Sequence, residues 1–433
     1  MDRPLLAVVF GTFTLRLSTG LTGGMLVFYL ANLPRYGGEP VSAFVVGMFG
    51  ALFYASELVG SPLFGVLSDR VGHRRIMQVG PVFGAIAVVI TALTVSLPIL
   101  GGTRILEGLA TAASVPSILG FIAFATADDE LHRGRAVARF EAATLAGLMA
   151  GFVIAGPLFR VLGPTAFLAN AVLYGVSFSI YRFGVPAHAE PAPAASAHDP
   201  TEGLRRYLRI LSGNHVWLLA PTWIAINATL GLYTSQTLFQ LVRAPDPRFT
   251  GQRLMGGFDE LSVSLGLGIG GLLFFAGLFY WGGKFKTLRR TTIILYGILG
   301  GGVMLAAGLA LNHPISASLA ALVPLLALGA GGLFVLAGAT PAAIGLLADV
   351  TEAYPDDRGA IMGLYSVFLG LGQIIGSLVG GWAADLWGLD GIFVTSLVLL
   401  GVALLPLSHL RRYEHHVGGP ATPAVLSDEA VDG

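Results

Sequence analysis

The chain has 433 residues, 54% hydrophobic and only 12% charged, with a formal net charge of zero. A mean hydropathy of +0.76 excludes an ordinary soluble protein, which needs far more charge to cover its surface. Charge neutrality gives no footing for nucleic acid, and the absence of cysteine excludes disulfides, thiolate metal sites and cysteine nucleophiles.

A membrane-crossing helix needs about 20 apolar residues. Met1-Asp2-Arg3-Pro4 leads straight into the first such segment, roughly 5–33, which reads as a retained helix and not a cleaved signal. Five more follow at roughly 41–66, 76–97, 101–127, 136–162 and 165–183. Residues 184–213, with Pro186, Pro191, Pro193 and Pro200, have linker composition. Six further segments occupy roughly 214–242, 256–282, 291–311, 315–348, 360–386 and 389–410, and 413–433 read as a disordered tail. Membrane strands would alternate at period two over short segments, so helices are predicted throughout. The expectation is an all-α integral membrane protein with an N-terminal six-helix bundle at 1–183, a cytoplasmic linker at 184–213, and a C-terminal six-helix bundle at 214–412.

Orientation follows from lysine and arginine. An even number of spans puts both termini on one side, together with most of the basic residues. The opposite side holds Arg35, Arg160, Arg243, Arg248 and Arg253. The termini are therefore expected in the cytoplasm and the protein in the inner cell membrane.

The chain also repeats itself. Pro116, Gly120, Arg133, Gly134, Gly147, Gly151, Gly156 and Gly163 recur as Pro341, Gly345, Arg358, Gly359, Gly372, Gly376, Gly381 and Gly388, each 225 residues later. Two parallel six-helix repeats are the architecture of transporters that rock around a site near the bilayer midplane.

Gly65-Val-Leu-Ser-Asp69-Arg70-Val-Gly72-His73-Arg74-Arg75 concentrates charge in a short loop between two spans. It resembles the loop signature of the major facilitator superfamily, Gly-x-x-x-Asp-Arg-x-Gly-Arg-Arg/Lys, with His73 departing from it. In the second half Gly282-Gly283-Lys284-Phe285-Lys286 lacks the acid. Two further patches resemble the twelve-helix drug:proton antiporters. Arg104-Ile-Leu-Glu107-Gly108 is similar to their Arg-x-x-Gln-Gly, with Glu107 for glutamine. Gly147, Gly151 and Gly156-Pro157 are similar to their fifth-helix glycine motif, though Arg160-Val161 stands where Gly-Gly belongs. The resemblance implies twelve helices in two pseudo-symmetric bundles. It further implies a monomer exchanging a small-molecule substrate and protons across the lipid bilayer, with no cofactor and no enzymatic activity. In that family Asp69 would meet the positive N-terminal end of helix 11, near Arg358-Gly359, and hold the outward-facing state. Gly65 would permit close approach and Gly72 a tight turn, with Arg70, Arg74 and Arg75 completing the gate. Gly156-Pro157 is either a kink or a sliding contact.

An ionisable side chain at membrane depth is costly and calls for a reason. Arg16 and Glu57 both lie at about 15 Å depth, so neighbouring helices could bring them together. Arg104 and Glu107 share one helix face. These four are the candidates for proton coupling, with the arginines holding the acids ionised until protonation releases them. Static ion pairs and an arginine that anchors an anionic substrate are the alternatives. Glu141, close to a helix end, reads as a snorkelling surface carboxylate. The second half offers neutral groups: Asn227, Tyr233, Gln236, Tyr365 and Gln373, which with Arg16 are expected to line the substrate cavity. The glycine pattern at 266–271 lies inside an apolar helix and Gly283-Lys284 lacks a phosphate loop, so an ion gradient is the expected energy source. Proton-coupled efflux of hydrophobic or amphiphilic molecules is the leading expectation. A transporter of lipid-like or organic-anion substrates is the alternative, and a non-transporting sensor on the same fold comes third.

Overall fold

The computed structural model describes residues 3–126, 129–186, 219–314, 318–353 and 358–413, and every regular element among them is helical. The first half runs α1 (Arg3–Ala31), α2 (Ala43–Val71), α3 (His73–Met77), α4 (Val79–Leu93), α5 (Leu97–Ala125), α6 (Glu130–Leu162) and α7 (Ala166–Gly184). The second runs α8 (Leu219–Val242), α9 (Glu260–Gly282), α10 (Arg290–Leu311), α11 (Leu319–Leu336), α12 (Ala339–Ala353) and α13 (Arg358–Tyr413). The helices follow the predicted spans closely. The third and tenth spans are each built from two helices, α3 with α4 and α11 with α12. The continuous α13 holds the last two, turned at Gly388, where φ is 61°. Gly163, at φ 55°, makes the corresponding turn after α6. The expected linker and tail fall largely on 187–218 and 414–433, outside the described residues.

Apolar side chains gain little by leaving lipid, so close backbone approach between helices takes over as the packing device. The repeated glycines supply it. A β-carbon at Gly147 on α6 would fall 2.6 Å from the Phe13 carbonyl oxygen and 3.0 Å from the Leu17 nitrogen of α1. Its counterpart Gly372 on α13 stands in the same relation to Ile224 and Ala228 of α8, at 2.6 and 3.0 Å. The same correspondence sets Arg16, beside Gly147, against Asn227, beside Gly372. Helix pairs α1–α6 and α8–α13 are thus one contact built twice.

The halves meet through α2 against α13 and α8, α6 against α9, and α1 against α8. Among the described residues, hydrogen bonds across this seam gather at the end of the bundle opposite Arg3 and Tyr413, called distal below. There Gly156 N–H donates to Ser264 Oγ at 3.0 Å, Asn32 Nδ2 to Glu260 Oε1 at 3.2 Å, and Gln236 Nε2 to the Ala43 carbonyl at 2.9 Å. Gly156-Pro157 is therefore a contact between halves, and the bundle is closed distally.

The distal loop 243–258 folds back on itself around Asp246. Its carboxylate accepts from Arg248 Nη2 at 2.8 Å and lies 3.4 Å from Arg243 Nη2. The Arg248 hydrogen bond foremost holds the Asp246 carboxyl below its usual range. A lowered carboxyl contributes stability above its unfolded pKa and loses it as the pH falls through the folded value.

Two outcomes follow. Gly151→Val, opposite the Leu21 nitrogen of α1, should destabilise the detergent-solubilised protein by about 1–3 kcal/mol by overpacking, read as a lower thermal midpoint. The gap in thermal midpoint between the natural chain and Asp246→Asn should narrow as the pH falls below about 4. A gap independent of pH would remove the ionic account of this loop.

Candidate functional site: charged groups of the first half

Helix α1 carries Arg16 at the centre of the first half. It is half-buried, as is Glu57 on α2, and its charge acts on both Glu57 and the solvent-accessible Glu141 of α6. Arg16 reaches these acids through space, not by a direct ion pair. One cation thus serves carboxylates on two neighbouring helices. The sequence reading left Glu141 on the surface; the packing of α6 on α1 through Gly147 brings it into the field of Arg16. Tyr54, one turn before Glu57, lies within reach of Thr234 on α8 and in the field of Arg16.

Arg104 and Glu107 do pair directly. The pair is 10% and 3% exposed at its side chains, and the Arg104 guanidinium sits 4.7 Å above the Phe53 ring of α2. Gly108 lets α5 press against Ser56 and Glu57, so this pair lies one helix layer behind Glu57. Glu107 Oε1 has no hydrogen-bond partner in that interior. The two acids are therefore in different settings: Glu57 partly accessible with a distant counter-ion, Glu107 sealed with a close one.

Three of the residues expected to line the cavity do not. Asn227, Gln236 and Gln373 are 1%, 0% and 7% exposed. Asn227 Nδ2 donates to the Trp223 carbonyl one turn back at 2.9 Å, and Gln236 is spent on Ala43 across the seam. Gln373 is pressed by Gly231 of α8. Tight packing of α8 on α13 buries Asn227 and Gln373 in that helix contact, and the seam with α2 buries Gln236. Tyr233 packs its ring 6.4 Å from Phe393, and the Tyr365 side chain lies outside the described residues.

The charged loop is formed as expected at one glycine and not at the other. Gly72, with φ 105° and ψ 133°, makes the one-residue turn from α2 into α3. Gly65 makes no close approach: a β-carbon there would meet only Pro116 at 3.8 Å, an ordinary contact. Asp69 is 75% exposed, and His73 Nε2 lies 3.9 Å from its Oδ1. His73 also lies 3.2 Å from Ser68 Oγ, and Arg74 donates to the Arg182 carbonyl of α7. Arg70 and Arg75 are exposed. The side chains at Arg358 and its neighbours lie outside the described residues.

Comparison with known proteins bears on this arrangement. The family model described as Major Facilitator Superfamily matches residues 8–351 and 257–427. The quinolone resistance protein NorA of Staphylococcus aureus (strain MSSA476) is 23% identical over 393 residues, covering 89% of this chain and 91% of that protein. A triacylglyceride transporter of Mycobacteroides abscessus is 33% identical over 154 residues, 33% of this chain and 26% of that protein. Among solved structures, the nucleoside transporter NupG superposes with a TM-score of 0.72 at 12% identity, covering 95% of this chain and 99% of its own. The human organic anion transporter MFSD10 (TETRAN) gives 0.60 at 18%, covering 94% and 99%. These likenesses concern fold.

The sealed pair yields a stability test. Arg104→Ala should cost about 3–5 kcal/mol by stranding a buried carboxylate, while Glu107→Gln should cost far less because the amide is neutral. Thermal unfolding in detergent reads both; equal losses would contradict the burial argument.

Proposed function

The chain belongs to the Major Facilitator Superfamily, and from that premise we propose a secondary active exporter that couples efflux of hydrophobic or amphiphilic molecules to proton entry. The observation that carries this reading is Arg16 set among Glu57 and Glu141 with no fixed partner. A carboxylate that gives up its proton in such a place gains a counter-ion without being locked to it, so the step can reverse. Glu57 is the favoured proton carrier. Glu107, held by Arg104 behind α2, is a second carrier only if that helix contact loosens during the cycle. Arg16 and Tyr233 remain the cavity candidates of the two halves, together with Tyr365. Similarity to the drug-resistance protein over most of both chains supports export.

Access alternates by rocking the two six-helix halves, 1–183 and 214–412, as a monomer with both termini in the cytoplasm. The distal end is then the outer one, and the closed seam with an exposed Asp69 fits an inward-facing state with the gate at Gly65, Asp69, Arg70, Gly72, Arg74 and Arg75 released. Asp69 would engage the start of helix 11 when the outer side opens.

A second reading, transport of lipid-like or organic-anion molecules, is favoured by one specific observation. Arg16 is a half-buried cation without a fixed partner, suited to an anionic head with an apolar body. The short stretch similar to a triacylglyceride transporter supports this reading too. A sensor without transport has no comparable support.

Proteoliposomes with an imposed pH gradient, an internal pH probe and a panel of amphiphiles separate these readings. Glu57→Gln should reduce gradient-driven flux by at least about tenfold while counterflow of the same compound persists. Undiminished gradient-driven flux in Glu57→Gln would remove it as carrier, and transport without proton movement would remove coupling itself.

A further inference from the structure

The repeat that aligns the glycines also aligns two charged residues at the distal end, and they are not the same residue. Four positions beyond Gly156 stands Arg160; four beyond its counterpart Gly381 stands Asp385. Each helix end meets the start of a helix from the other half. Arg160 Nη1 lies 3.4 Å from Asp259 Oδ1, and Asp259 is itself the N-cap of α9, accepting from Ser262 N at 3.0 Å. Asp385 meets α2 without a charged intermediary: its Oδ1 accepts from the Ala43 N–H at 2.8 Å and its Oδ2 from the Phe44 N–H at 2.9 Å.

The first three free N–H groups of α2 are therefore divided between the halves. Ser42 Oγ, the helix's own cap, accepts from Val45 at 3.3 Å, and Asp385 takes the two before it. A carboxylate on two backbone donors makes charge-assisted hydrogen bonds at the positive end of a helix dipole. The Arg160–Asp259 pair is 56% and 49% exposed, a setting in which ion pairs contribute little. Of the two pseudo-symmetric contacts, the one at Asp385 dominates. It is also reinforced: Gln236 binds the Ala43 carbonyl, and Arg248, tied to Asp246, reaches the Asp385 carbonyl at 3.5 Å.

We propose that Asp385 is a positioning residue of the transport cycle, the latch that holds the distal seam closed by capping α2 from the opposite half. Opening the distal side breaks these two bonds while Ser42 keeps the helix end intact, so the latch releases without unravelling α2. The proposal uses the alternating-access reading only for its consequence in transport; the contact is tested on its own.

The chain contains no cysteine, so Glu39→Cys and Thr250→Cys, two exposed distal positions in opposite halves, accept spin labels uniquely. In lipid nanodiscs, the natural background should give mainly the short inter-label distance. Asp385→Ala should raise the ratio of the long to the short population about tenfold, in the range of losing a strong helix cap. Asp385→Asn, which keeps one side-chain oxygen and nearly the same shape, should raise it less, and Arg160→Gln less than about twofold. An unchanged distribution in Asp385→Ala overturns the latch, as does an equal shift from Arg160→Gln. If Asp385→Ala does not fold, the isosteric Asp385→Asn decides by the same ratio. A shifted distribution in a protein that moves no protons upholds the latch and removes proton coupling alone.

Discussion

The bundle depends on backbone meeting backbone at glycine. In water a helix is held by burying its apolar face, but lipid offers no such gain, and distance then sets the strength of packing. Gly147 and Gly151 bring α6 onto α1; Gly372 and Gly376 bring α13 onto α8. Because the same contact is built twice, everything hung on these helices is placed twice in equivalent positions. The contrast between the halves is therefore a contrast of side chains on a common frame.

That contrast is sharp at the centre. Arg16 and Asn227 occupy equivalent places beside Gly147 and Gly372, yet one is a half-buried cation and the other an amide satisfied within its own helix. Among the described residues, the first half holds the buried Arg104–Glu107 pair and the half-buried Arg16 and Glu57. The second half answers with aromatic rings and amides committed to packing. A polarised interior of this kind would suit the proposed coupling, with one half exchanging charge while the other stays neutral.

The spans, their helical character and the repeat were legible because each is written in runs of residue type or in fixed spacing. Rotation about a helix axis is not. Asn227, Gln236 and Gln373 looked like cavity residues because they are polar in an apolar run, but Asn227 and Gln373 are buried between α8 and α13 and Gln236 against α2. Gly65 looked like a close contact because it belongs to the loop signature, and among the described residues only Pro116 lies near it. Glu141 is exposed as its nearness to a helix end suggested, but the sequence did not reveal its place in the field of Arg16. Asp385 was missed although its signal was available: the offset that paired Gly156 with Gly381 pairs Arg160 with Asp385. Searching for charge substitutions within the repeat, and not only for identities, would have found it.

Helix α2 runs unbroken from Ala43 to Val71 through Pro62, and Asp69 stands near one end while Asp385 grips the other. At 1.5 Å per residue the helix is on the order of 43 Å long. With Asp385 as the proposed catch at one tip and Asp69 as the proposed catch at the other, it would behave as a balance beam. A tilt on the order of 10° about its middle moves both tips by roughly 4 Å in opposite directions, more than the length of a hydrogen bond. Two catches so placed would not close together, and mutual exclusion between the two ends of the protein would then follow from the length of a single rod.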